Sequence, residues 1–243
     1  MEQGGGFVPF GWFATQAPTF TLYGDGRVIF RPIEDLAETT RLMAPGAMPR
    51  FLTGTLTEDG VQALLQFALG TGRLYAARDF YGQDMCADCG TTIFVLNAAG
   101  LEKVVTIDAL SELTEPGPDA ADRRGFFELA NLLTNFRTEA ESGAVDHLEA
   151  YDPEAYRVVL FDQAGEPAEQ PIDWPWDDIG IDGFPVGEEP GNRIRHLDRE
   201  HVSELTEVPS GGHIGVWVTA PDGSSVQLAV RPLFPDELAA LEL

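Results

Sequence analysis

Lysine is nearly absent: 243 residues contain one, Lys103. No phosphate-binding loop lysine is therefore available elsewhere, and Lys103 is the only Schiff-base residue the chain has. Cysteine is limited to Cys86 and Cys89. Two thiols supply half of a zinc site at most, since a closed site needs four ligands and no histidine lies near the pair. Basic residues number 15 against 40 acidic ones, for a formal charge of −25. Nucleic-acid binding needs clustered cations to neutralise phosphates, so it is excluded as a function class, and an anionic membrane surface is disfavoured for the same reason. No uncharged apolar run approaches the ~18 residues that span a bilayer, so membrane insertion is not expected. Neither Gly-x-Ser-x-Gly nor Gly-x-Gly-x-x-Gly occurs, which removes the hydrolase elbow and the dinucleotide fingerprint.

What is present suits a globular chain, 44% hydrophobic and 10% aromatic. After a Gly4-Gly5-Gly6 tether stub, Thr19–Tyr23 and Arg27–Phe30 flank Gly24-Asp25-Gly26 and predict a hairpin. Thr57 caps a helix with Val61, Leu64, Leu65 and Ala68 on one face, stopped by Gly70 and Gly72. Thr91–Leu96 and Lys103–Ile107 predict a second hairpin. Asp119 caps the longest helix, with Phe126, Leu129, Ala130, Leu133 and Phe136 at spacings of three and four. Tyr156–Phe161 is a strand, Asp198 caps a short helix, and Ile214–Thr219 with Val226–Val230 form a last hairpin about Pro221-Asp222-Gly223.

The two halves repeat this order in matching register. At an offset of 139 Gly26 matches Gly165 and Pro32 matches Pro171; at 141 Leu56-Thr57 matches Leu197-Asp198, Val61 matches Val202 and Leu64 matches Leu205; at 123 Gly100 matches Gly223. The expected fold class is α+β: duplicated ββαββ units, mainly antiparallel sheet, helices packed on one face. The expected division is an N-terminal tether and first strand at 1–17, a first repeat at 18–110, a connecting helix at 111–150 and a second repeat at 151–243.

Chemistry-bearing residues are few. Cys86-x-x-Cys89 precedes a strand beside Asp84 and Asp88, whereas redox pairs open a helix whose dipole lowers the thiol pKa. A disulfide is expected, labile or structural. His196 and His201 are five residues apart, so they would diverge by about 140° on a helix and do not make a zinc pair; His147 and His213 are isolated. From Val158 to Asn192 there is no base, but five prolines, nine acids and two tryptophans. Asp173, Asp177, Asp178 and Asp182 crowd this loop, and a hard cation such as Ca²⁺ would relieve their repulsion; no other cofactor is expected. Trp174, Trp176 and Phe184 are its candidate partner-binding residues, because aromatics dominate binding hot spots.

Pro171-Ile172-Asp173-Trp174-Pro175 and Val230-Arg231-Pro232-Leu233-Phe234-Pro235-Asp236-Glu237 resemble a group of uncharacterised exported proteins from high-GC bacteria, which pair a Trp-Pro element with an Arg-Pro-Leu-x-Pro-Asp/Glu tail. The resemblance covers mainly the second half and carries no activity. It implies an extracytoplasmic protein, secreted or surface-tethered, with no signal segment in this chain. The leading expectation is a non-enzymatic binding or interaction module for a protein or cationic partner, self-association included. The alternatives are a hydrolase using carboxylates or a bound cation, and a structural subunit of an assembly.

Overall fold

A computed structural model describes residues 1–5, 12–32, 51–82, 88–98, 100–112, 117–161, 171–187, 191–203, 205 and 216–241. Among them the fold is mixed α+β, with 13 strands in three mostly antiparallel sheets and five helices. Two compact units divide the chain: Met1–Phe7, Pro18–Leu36 and Arg50–Tyr151 form the first, Val8–Ala17, Ala37–Pro49 and Asp152–Leu243 the second.

The first unit holds two four-stranded sheets. One has β2 (Phe20–Leu22), β3 (Arg27–Phe30), β4 (Leu52–Leu56) and β8 (Val145–Ala150) side by side. Its hairpin closes because Asp25 Oδ1 accepts from the Arg27 amide and Gly26 takes φ +87. A Cβ on Gly26 would stand 2.7 Å from the Leu56 carbonyl, so only glycine fits there. Between β4 and β8 the register shifts at Gly54, where a Cβ would collide with Val145; His147 absorbs the irregularity at φ 53.

The other sheet runs β1 (Glu2–Gly5), β6 (Gly90–Ala98), β7 (Leu101–Asp108) and β5 (Phe80–Tyr81). Gly4 and Gly5 are therefore not a tether stub: they pair with Thr91 and Gly90. Helix α1 (Glu58–Leu69) starts as expected, Thr57 Oγ1 accepting from the Gly60 amide. Helix α2 (Ala120–Thr134) does not start as expected. Asp119 makes no cap hydrogen bond, because its carboxylate is taken by Arg78 at 2.6 Å. Helix α3 (Phe136–Glu139) follows after Asn135. Phe126, Leu129, Leu133 and Phe136 meet Phe30 from one sheet and Phe94, Val105 and Ile107 from the other in one core.

The second unit is one five-stranded sheet in the order β10 (Ile172–Asp173), β12 (Val216–Thr219), β13 (Ser225–Pro232), β9 (Ala155–Phe161), β11 (Asn192–Asp198), with α4 (Arg199–Ser203) and α5 (Pro235–Leu241). Asp198 does cap α4, accepting from the His201 amide at 3.0 Å. Gly223, at φ +85, turns β12 into β13.

Two copies of one ββαββ unit are not shown. The chain order recurs, but the pairing differs. Hairpin β6–β7 lies in a different sheet from β2, β3 and β4, whereas hairpin β12–β13 joins β9 and β11 in a single sheet. Leu205, matched to helical Leu64, lies beyond the end of α4, and Gly165 is outside the described residues. Any pair of hairpin–helix segments needs such turns and caps, so the matching register does not require a repeated fold.

Candidate functional site

The aromatic loop of the second unit is built into its core. Trp176 and Phe184 are buried, 2% and 0% exposed, with Ile179 beside them. The Trp176 indole N–H donates to the His201 carbonyl at 3.0 Å. Trp174 is half-buried; its N–H donates to the Ile179 carbonyl at 2.6 Å and its ring stands edge-on to Trp176 at 5.4 Å. Rings whose faces and N–H groups are spent internally do not present a hot spot. Of the residues expected at a binding surface, Trp176 and Phe184 are spent inside the core, while Trp174 stays half-buried beside them.

Its aspartates do not gather. Among the described residues no group of three or more His, Cys, Asp or Glu is placed to hold a metal, so Asp173, Asp177, Asp178 and Asp182 do not form a cluster of that kind. Asp178 instead faces His201. The His201 ring meets Asp198 through Nδ1 at 2.8 Å and Asp178 through Nε2 at 3.4 Å. The hydrogen bond to Asp198 first, then that to Asp178, holds the imidazole above its ordinary pKa. His201 thus latches the loop onto α4. His196 is in β11, opposite Arg157, where burial first and the charges of Arg157 and Arg231 next lower its pKa.

The tail motif is also structural. Arg231, 4% exposed, donates to Glu237 through both Nη atoms, at 2.8 Å from Nη1, and also to the Pro232 carbonyl. Glu237 accepts in addition from the Phe234 amide at 2.9 Å, the backward half of a capping box, with Pro235 at the first helical position. Burial pushes the Glu237 carboxyl up, but the Arg231 hydrogen bonds and charge, the Phe234 amide and Arg157 together hold it below its ordinary value. Cys89 is not a free cysteine, and Cys86 lies outside the described residues, as does His213.

The described structure brings a different set together, on the β1–β6–β7–β5 sheet. The inner face is fixed at Tyr81. Its ring packs edge-on against Phe126 at 4.8 Å, and its hydroxyl donates to Asp122 at 3.1 Å. Arg123 donates to the carbonyls of Asp108, Tyr81 and Gly82, tying β5 and β7 to α2. Arg78 lies over the Tyr81 ring, 4.5 Å from its centroid. Successive strand residues point to opposite faces, so pinning Tyr81 inward turns Phe80 outward. The same alternation buries Phe94, Val105 and Ile107 and turns Val95 and Val104 out.

Phe80, Val95 and Val104 are 57%, 60% and 51% exposed. They lie on one face of the sheet. Val95 and Val104 are directly opposite each other, and so are Ile93 and Thr106 in the next row, while Phe80 flanks Thr106 on β5. Glu2, opposite Ile93, and Glu102 and Asp108, on the Val104 parity of β7, place three carboxylates on this face. Lys103 has the opposite parity and donates to the Tyr75 carbonyl.

This face carried a signal that the hairpin reading passed over. Ile93-Phe94-Val95-Leu96 and Val104-Val105 are apolar at consecutive positions, so they load both faces of their strands, where a sheet wet on one side alternates apolar with polar. No family model, curated protein or solved structure matches this chain.

Proposed function

We propose that the protein is a non-enzymatic interaction module acting outside the cytoplasm, and that its working surface is the outer face of the β1–β6–β7–β5 sheet. One observation carries the reading: the Val95–Val104 pair and Phe80 are exposed on a face whose opposite side already supplies the core. Exposed apolar residues contribute little to folding, and contiguous ones mark surfaces that are covered by something else. This reading includes a Cys86–Cys89 disulfide; native protein purified without reductant should then yield no alkylatable thiol.

The decisive experiment is site-specific photo-crosslinking in the source cells, with benzoylphenylalanine placed at position 95, at 104, or at exposed Gln62 on α1. Discrete protein adducts at 95 and 104, lost when Phe80→Thr is added and missing at 62, are expected. Equal labelling at all three positions, or none at 95 and 104, would remove this face as the working surface.

A further inference from the structure

Resting on that reading, the charge around the ladder identifies the kind of partner. We infer that the face receives a protein segment that is apolar on one side and flanked by lysine or arginine. The outer face carries Glu2, Glu102 and Asp108 and no base. The sheet's one lysine, Lys103, is on the other face with its amine on a backbone carbonyl. Three arginines of this unit are engaged: Arg73 with Asp122 at 3.1 Å, Arg78 with Asp119 at 2.6 Å, and Arg123 on three carbonyls. Among the described strand residues of this face none is basic, and the chain as a whole is acidic, with a formal charge of −25. A second copy would bring three more carboxylates to the same contact and repel at longer range; an anionic lipid surface or nucleic acid would do likewise. A basic apolar-faced segment instead matches both parts of the surface, its side chains covering Phe80, Val95 and Val104 while its cations meet the acids. Rim charges of this kind act mainly on the rate of encounter and on salt dependence, while the apolar ladder sets the lifetime.

The test uses two disulfide-closed hairpin peptides with the same valine–isoleucine face. One carries lysine at its remaining strand positions, the other glutamate, and binding to the full chain is read by fluorescence anisotropy. The lysine peptide should bind at least about tenfold more tightly than its glutamate twin at low salt, and lose most of that margin at high salt. Glu2→Gln with Glu102→Gln should narrow the margin, and Phe80→Thr with Val95→Thr and Val104→Thr should abolish binding. If both peptides bind alike and the threonine variant abolishes both, the basic partner is wrong while the face stands. If lysine-peptide binding survives the threonine variant, the face itself is wrong. Binding of neither peptide, or capture by phosphatidylcholine vesicles through Phe80, Val95 and Val104, overturns the inference in favour of another occupant.

Discussion

Hairpins β6–β7 and β12–β13 occupy the same place in the chain order of their units, yet they are used differently. In β13 the run Val226, Gln227, Leu228 is buried at every position, and Val218 of β12 is fully enclosed. In β6 and β7 the residues alternate, Phe94, Val105 and Ile107 inward, Val95 and Val104 outward into solvent. Both hairpins are apolar on two faces. Only the second has both faces covered. An apolar strand face is thus spent on folding in one unit and left available in the other, and the available one is the better guide to what the protein does.

The largest effect should come from the second unit's plug. Trp176→Ala removes a buried indole and its bond to His201, and should cost about 3–5 kcal/mol in urea unfolding. A loss under about 1 kcal/mol would mean that the loop is not part of that core.

Next is the tail lock. Glu237→Gln leaves Arg231 buried without its counter-charge, and should cost about 3 kcal/mol. Because the Glu237 carboxyl is depressed in the fold, its contribution is present above its ordinary value of 4.5 and lost as the pH falls through the lowered one. Stability of the wild type should therefore decline as the pH drops from 4.5 through the lowered value, and the variant should lack that component.

A smaller effect is expected at the latch. His201 is raised in the fold, so its contribution is fully present below its ordinary value of 6.5 and lost as the pH rises through the raised one. Imidazole NMR should show a titration above 6.5 that Asp198→Asn brings back toward it. An unchanged midpoint in that variant would contradict the contact with Asp198.

Much of this was legible in the chain. Gly24-Asp25-Gly26, Thr57, Asp198 and Gly223 announced their turns and caps because each acts through its own backbone neighbours. Asp119 looked like a cap and was not, since Arg78, distant in sequence, competes for its carboxylate. Trp176 was expected at a partner surface and is buried, because local sequence does not reveal which side of a loop meets the core. The duplicated register was misleading in the same way: turn glycines and caps report local geometry, and sheet order depends on which strands meet across long separations. The candidate face was written in Ile93-Phe94-Val95-Leu96 as two-sided apolarity, but its exposure is a property of tertiary packing.

The central claim is that the outer face of the first unit's sheet is bare and kept apolar for a purpose other than folding. The most direct measurement compares the melting temperatures of Val95→Thr with Val104→Thr and of Val218→Thr with Val226→Thr. The first pair sits in solvent and should change stability by no more than about 0.5 kcal/mol per site. The second buries two hydroxyls among apolar side chains at about 1–3 kcal/mol each, lowering the melting temperature by several degrees. A near-zero shift for the first pair beside a large one for the second is the predicted result; equal losses would show that the β6–β7 face is already covered in the folded protein, and would contradict the account.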